Sequence, residues 1–414
     1  MTEEKRYYGV FNKSDKFIPG KDKVYYAQAV YSDEEIEAVV DCLKKGWLGM
    51  GATVAEFEQK ISEILGKKYG LVLNSGSSAT FLSMKIQNFP KGSEVITPAC
   101  TFSTTFSAIV LNDLIPVVGD SNLGNYNLDL SNLDRMLSPK TKAVLVPHTM
   151  GNLNDLEYLS KFCKEHGLYM VEDSCDTIGG KFDGKPAGAF GDVTTCSFYA
   201  SHHITAAGGG GIMCMDNPEL RRNAYAYREW GRAAMDDSEE LTDRFTSELT
   251  GVDYDRKFTY THLGFNLKPV EIMFAFGLVQ LKKLPEIIRV RKQHFESLKS
   301  FLKNYEKFFI LPEEHPKAES TWLAFPITIR DGAPFGRLEV IKFLEDHNIQ
   351  TRLLFAGNIL KHPGYRNAPH RVVGELKNAD KVMKDSFVIG AHHGMTTEMI
   401  DYVKEVFTEF LKKY

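Results

Sequence analysis

The chain has 414 residues, 43% hydrophobic and 25% charged, the balance of an ordinary globular protein with enough length for two packed parts. Its 50 Lys and Arg against 54 Asp and Glu give a net charge of −4, with no basic stripe for nucleic acid and no basic amphipathic helix for a membrane surface. No apolar run reaches membrane-spanning length, and the charged start, MTEEKRYYGVFNKSDKF, lacks the apolar segment of a signal peptide.

In chain order, an N-terminal arm over 1–30 precedes two helices with apolar spacing, EEIEAVVDCLKK (34–45) and VAEFEQKISEILG (54–66), the second stopping at Gly66. Short apolar runs then alternate with helical segments: GLVLN (70–74), EVITP (94–98), IPVVGD (115–120), AVLVPH (143–148), LYMVED (168–173) and VTTCSFY (193–199). Runs that are apolar on both faces belong to a mostly parallel sheet covered by helices, an α/β architecture. A long helix is expected over 289–305, after which the pattern changes. STWLAFPITI (320–329), a helix near 336–346, IQTRLLF (349–355) and a final helix over 397–413 form a smaller α+β part. The expected division is therefore 31–290 and 291–414. Six cysteines, Cys42, Cys100, Cys163, Cys175, Cys196 and Cys214, show no C-x-x-C spacing and read as reduced thiols of a cytoplasmic protein.

Ligands of open α/β sheets bind beyond the carboxyl ends of the strands, so those ends carry the candidate chemistry. Ser75-Gly76-Ser77-Ser78 lies between a strand and a helix, where it is either a phosphate cradle or a plain helix cap. YMVEDSCD ends a strand with Glu172, Asp173 and Asp176. A carboxylate there either pairs with a protonated ring nitrogen or caps a loop. SFYASHHITAAGGGG (197–211, closing on Gly211) places His202 and His203 between a strand and a glycine run. Adjacent histidines do not share one metal face and no H-x-x-x-H or H-E-x-x-H accompanies them, so no metal is expected. A second pair, His392-His393, reads as surface or mouth-lining.

Taken together, GWLGMG…FE, NSGSSA, ACTFSTT, PHTMGNLNDL, VEDSCDTIGG, GAFGD, SFY…HHIT, REWGR, THLGFNLKPVEIMFAFGLVQL and TRLLFAGN resemble the sugar-aminotransferase family of pyridoxal 5′-phosphate (PLP) enzymes. More narrowly, they resemble its nucleotide-sugar 3-dehydrase branch, which takes CDP-4-keto-6-deoxyglucose or GDP-4-keto-6-deoxymannose. The resemblance runs from about residue 30 to 410 and implies the fold-type I, aspartate aminotransferase-like architecture. It implies that Gly76, Ser77 and Ser197 hold the cofactor phosphate, that Phe102 stacks on the pyridine ring and that Asp173 binds the ring nitrogen. Asp176 would lie near the ring's O3′. Asn266 would reach the phosphate from a neighbouring subunit, which makes a homodimer with shared active sites. Core packing for Phe102 and a helix cap for Asn266 remain the alternatives.

Aminotransferases of this family carry a lysine where this chain has His202. Imidazole forms no Schiff base with the cofactor but moves protons near neutral pH. The resemblance then implies a non-covalent cofactor working as pyridoxamine 5′-phosphate (PMP). The amine condenses with a 4-keto sugar, His202 removes a proton from the cofactor's C4′, and the hydroxyl at sugar C3 leaves. Tyr199 either assists the leaving group, orients His202 or simply packs. His203 is expected to be structural. Arg352 would pair with the sugar diphosphate unless it is a surface ion-pair partner, and Phe355 and Asn358 would line the sugar pocket.

The related CDP-sugar enzyme draws electrons from a [2Fe–2S] cluster on cysteines downstream of WGR. This chain has no cysteine after Cys214, so no cluster is expected and L-glutamate is the expected amino donor that restores PMP. Ammonia and a 4-keto-3,6-dideoxy sugar, of the kind built into lipopolysaccharide O-antigen, would be the products. A reductive dehydrase served by an external reductase and a cofactor-binding protein without turnover are the rival readings. HTMGNL, FAGN and VVGEL look closer to the CDP-sugar enzyme. Gly208 stands where the family has Glu.

Overall fold

The computed structural model describes residues 7–8, 16–233 and 244–414. The rest of the expected arm, and 234–243 within the cysteine-free stretch, lie outside the described residues. Helix α1 (Asp33–Lys45) opens with three acids in its first turn, favourable at the positive end of a helix dipole. Glu35 reaches back to accept the Ser32 N–H at 2.8 Å. The same buried carboxylate accepts from Gln280 at 2.7 Å and Lys283 at 2.6 Å. One side chain thus closes a helix end and fastens α1 to the long helix of the molecule. Helix α2 (Ala52–Ile64) follows, with Phe57 and Ile61 fully buried.

The expected strands are present: β1 (Tyr69–Leu73), β2 (Glu94–Pro98), β3 (Ile115–Gly119), β4 (Thr141–Pro147), β5 (Tyr169–Asp173) and β6 (Val193–Ser197). They alternate with α3 (Gly76–Lys85), α4 (Ser103–Val110) and α5 (Leu156–Glu165). Most strand positions are buried, as a sheet covered on both faces requires. The sequence reading missed β7 (Gly211–Met215), which begins at the end of the glycine run and pairs antiparallel with both β6 and β1. Helix α6 (Pro218–Arg228) follows it, and β8 (Phe309–Ile310), β9 (Phe325–Ile329) and β10 (Arg371–Val372) come later. The eight-stranded sheet has the order β10-β3-β2-β4-β5-β6-β7-β1. Because β7 runs against its neighbours, the carboxyl ends of β2, β4, β5, β6 and β1 and the amino end of β7 meet along one edge. The site is built there.

Helix α7 (Glu271–Leu302) is 32 residues long, starting well before the expected 289 and running through residue 290. Its first half packs Phe274, Leu281, Leu284 and Ile287 against the sheet, and its second half buries Phe295, Leu298 and Leu302 in another cluster. That second cluster includes β9 and β11 (Ser386–Ile389), which with β8 form a three-stranded antiparallel sheet, and α10 (Thr397–Leu411). Helices α8 (Arg337–Asp346) and α9 (Lys377–Asp385) precede β11. Residues 349–355 do not form the expected strand; only Ile349 and Arg352 make isolated bridges, and Phe355 turns the chain at φ 45°. Ile359 and Ala379 pack on the edge of the large sheet beside Ala99, Phe106 and Val118.

Candidate active site

A pocket of about 450 Å³ opens at the meeting edge of the strands. Gly76, Ser77, Phe102, Asp173, Asp176, Ser197, Tyr199, His202, Arg352 and Phe355 all line it, although the sequence separates them by up to 279 positions. No lysine lines it.

At the end of β1, Ser75 caps α3 by accepting the Ser78 N–H at 3.1 Å. The cap is therefore Ser75, and Gly76 and Ser77 of the first helical turn face the pocket. A helix amino end attracts anions through its backbone N–H groups and dipole. Glycine is required at 76, because a Cβ there would lie 2.6 Å from Ser197 Cβ and 2.9 Å from Cys175 Sγ. Ser77 shares a 2.9 Å hydroxyl contact with Thr104. Ser197 ends β6 and its Oγ accepts the Tyr199 N–H at 3.3 Å.

Asp173, at the end of β5, is 7% exposed. Its oxygens accept from Thr105 Oγ1 at 2.9 Å and from the Cys175 N–H at 3.2 Å. Among the described residues no basic side chain forms an ion pair with it. A buried carboxylate without a counter-charge suits a cationic N–H donor brought by a ligand. Phe102, at the N-cap of α4, is 51% exposed and meets Phe355 edge-on at 5.8 Å. Its ring faces the pocket rather than the core.

His202 sits on a turn beyond β6, its backbone N–H donating to the Tyr199 carbonyl at 3.0 Å. Strand β6 stops at Ser197, so no alternation continues to His203; that ring is buried and contacts the Thr321 carbonyl at 2.6 Å. His202 Nδ1 lies 3.7 Å from Asp176 Oδ1 and has no hydrogen-bond partner among the described residues. Burial, aided by the charge of Arg291, pulls the imidazole down to about 4. Burial, then the neighbouring charge of Asp173, pushes the Asp176 carboxyl up to about 8. The two groups are therefore a neutral pair at neutral pH rather than an ion pair. With Nδ1 directed at Asp176, Nε2 is the nitrogen left for the pocket. Tyr199, 59% exposed, stands edge-on to the imidazole with ring centres 6.3 Å apart.

Arg352 lays its guanidinium over the Tyr26 ring at 5.0 Å and donates to the Thr351 carbonyl. No carboxylate among the described residues pairs with it. Asn358 is turned away from the pocket: its amide donates to Asp380 and its oxygen caps the Leu360 N–H. Its role here is structural, because the Phe355 turn redirects the chain. Asn266 is exposed, bridges Glu229 and does not line its own chain's pocket. The pair 392–393 is not at the surface; His392 is 1% exposed and bonds to the Tyr25 carbonyl. Gly208 adopts φ 95° in an exposed turn with nothing within 4 Å of a Cβ, a conformation that disfavours the family's Glu.

Sequence reasoning gave no role to Thr105, Thr104, Tyr26 or Met150. The two threonines stand inside ACTFSTT, where a hydroxyl three residues past the aromatic was the available signal. Tyr26 and Met150 enter only by tertiary packing. No group of three or more His, Cys, Asp and Glu among the described residues could hold a metal, and no helix among them is long and apolar enough to cross a membrane.

The chain is 38% identical over 407 residues to the lipopolysaccharide biosynthesis protein RfbH of Salmonella typhimurium, covering 95% of this chain and 93% of the relative. It is 34% identical to the dTDP-4-dehydro-2,6-dideoxy-D-glucose 3-dehydratase of Saccharopolyspora spinosa, covering 97% and 89%. Among solved structures it is similar to the E. coli GDP-4-keto-6-deoxy-D-mannose-3-dehydratase with bound hydrated PLP, at TM-score 0.85 and 27% identity over 92% of this chain and 98% of that one. With residues 30–408 matching its profile, the chain belongs to the DegT/DnrJ/EryC1/StrS aminotransferase family.

Proposed function

We propose that this protein is a PLP/PMP-dependent 3-dehydratase of a nucleotide-linked 4-keto-6-deoxyhexose, with His202 as its proton-transfer base and L-glutamate as the donor that restores PMP. The observation that carries this reading is the pocket itself: a largely buried, neutral His202 lines the cavity and no lysine among the described residues does. The Asp173 carboxylate, which has no basic partner among the described residues, the helix amino end at Gly76 and Ser77, the Ser197 hydroxyl and the exposed Phe102 face form a set that fits a phosphorylated, cationic pyridine.

In this reading Gly76, Ser77 and Ser197 hold the phosphate, Asp173 the ring N–H and Phe102 the ring face, with Asn266 supplied by a second subunit. When bound, the cofactor supplies the condensing amine and an electron sink that makes C3–O cleavage accessible. His202 Nε2 takes up and returns a proton, a role suited to an imidazole that is uncharged at neutral pH. The Asp176 carboxyl, held protonated by burial, orients the ring from its Nδ1 side. Tyr199 offers a phenol to the departing hydroxyl, and Arg352 offers a guanidinium to the diphosphate or to the donor's carboxylate. We further propose a cytoplasmic homodimer and a division of the chain near residue 290.

Two features support the glutamate route. A solved relative, a GDP-4-keto-6-deoxymannose-3-dehydratase with a trapped PLP-glutamate geminal diamine, is 26% identical with TM-score 0.84. The absence of cysteine beyond Cys214 leaves no thiolate set downstream of REWGR. The test is turnover of CDP-, GDP- and dTDP-4-keto-6-deoxyhexoses with PMP, with and without glutamate. Ammonia and a 3-deoxy product that appear only with glutamate are expected. Product formed with NADH and a reductase in place of glutamate would overturn the donor assignment, and loss of all dependence on His202 would overturn the base.

A further inference from the structure

Arg291, on α7, is 2% exposed. Its Nη1 donates to the Leu323 carbonyl at 2.9 Å and its Nη2 to the His202 carbonyl at 3.4 Å, 89 positions away in sequence. Leu323 and His202 both line the pocket. The guanidinium therefore ties the turn carrying the imidazole to the segment carrying Leu323. Among the described residues no carboxylate forms an ion pair with it, and its Nε has no hydrogen-bond partner. A buried cation without a counter-charge is costly, so it persists where surrounding structure or function requires it.

The ionisable groups that face Arg291 are imidazoles from three elements. His202 and His203 stand on the turn after β6, His294 on α7, and His392 and His393 on the loop after β11. Asp176, the acid beside His202, is held neutral by burial. Each imidazole is driven down first by burial and further by the Arg291 charge. Burial lowers the guanidinium itself to about 9, which leaves it charged at neutral pH.

We propose that Arg291 is the positioning residue for the base: bonded to the His202 and Leu323 carbonyls, it fixes the turn that presents the imidazole and sets a buried positive charge behind it. This rests on His202 acting as the base.

Two variants of the full-length protein, saturated with PMP, separate charge from geometry. Arg291→Gln removes the charge and keeps a hydrogen-bonding side chain. The acid limb of the kcat profile, and the midpoint of the His202 ring resonance, should rise toward the ordinary imidazole range with KM little changed. Arg291→Lys keeps the charge and loses the two-pronged fork, so the acid limb should stay in place while kcat falls about tenfold. The ring resonance is assigned by its disappearance in His202→Asn. An unmoved His202 midpoint in folded Arg291→Gln would overturn the electrostatic role, and wild-type kcat in Arg291→Lys would overturn the positioning role. If Arg291→Gln does not fold, the Arg291→Lys split decides. The resonance titrates without turnover. A shifted midpoint together with an active His202→Asn would reject the base assignment while leaving the effect of Arg291 on its ring intact.

Discussion

Burial moves His202 and Asp176 in opposite directions, and the protonation of each is linked to folding. His202 falls to about 4 in the native state. From the ordinary 6.5 down to that value the unfolded chain carries a proton that the native state lacks, so stability is lost as pH falls through this window. Asp176 rises to about 8. Between its ordinary 3.8 and that value the native state holds the extra proton, so stability is lost as pH rises. Replacing Asp176 with Asn removes the second loss only. The melting temperature of Asp176→Asn should therefore gain on the wild type as pH is raised from about 5 to about 9. A gap that stays constant across that range would mean that the native carboxyl is already ionised. At this scale the sequence is informative where candidate residues follow a strand: that Asp173, Ser197 and His202 come to one pocket is legible. Arg291 is not, because what it touches is main-chain carbonyl oxygen reached only through the fold. Asn358 misleads for the opposite reason, since its neighbour Phe355 lines the pocket while the turn points the amide at Asp380.

The elements that build the pocket meet closely at Gly76, where β1 gives way to α3 between the ends of β5 and β6. Gly76→Ala would drive a methyl against Ser197 Cβ and Cys175 Sγ. Overpacking of this kind costs about 1–3 kcal/mol. It also pushes the helix amino end from the Ser197 hydroxyl, so PMP affinity, measured by fluorescence titration, should fall further than denaturant stability alone accounts for. Equal PMP affinity in a destabilised variant would separate this junction from phosphate binding. The parallel strands are legible because their apolar runs are continuous and end in chemistry-bearing loops. Strand β7 is not, because four glycines before IMCM read as a turn and its antiparallel direction has no sequence signature. The first half of α7 escapes for a related reason. EIMFAFGLVQL is apolar on nearly every face, since it is wrapped by α1, α2 and the sheet, so helical alternation is weak.

Across the whole molecule, supply of Asn266 by a second subunit can be tested. Asn266 is exposed on its own chain and outside its own pocket. Near it in sequence stand exposed apolar side chains, Phe258 at 54%, Tyr260 at 55% and Leu263 at 94%. Such exposure of large apolar groups marks a surface suited to another chain. If a second copy covers it and lends Asn266 to the phosphate, complementation follows from two-fold symmetry. His202→Asn removes the base, and Asn266→Asp sets a negative charge against the phosphate, so each homodimer should be inactive. In a mixed dimer one site carries both defects and the other carries neither. Random pairing of equal amounts should therefore restore about a quarter of wild-type turnover. If Asn266 serves its own chain, both sites of the mixed dimer carry one defect and the mixture stays inactive. Denaturing and refolding the two variants together, with the separately refolded proteins mixed afterwards as control, reads the difference directly, because only exchange of subunits creates the intact site.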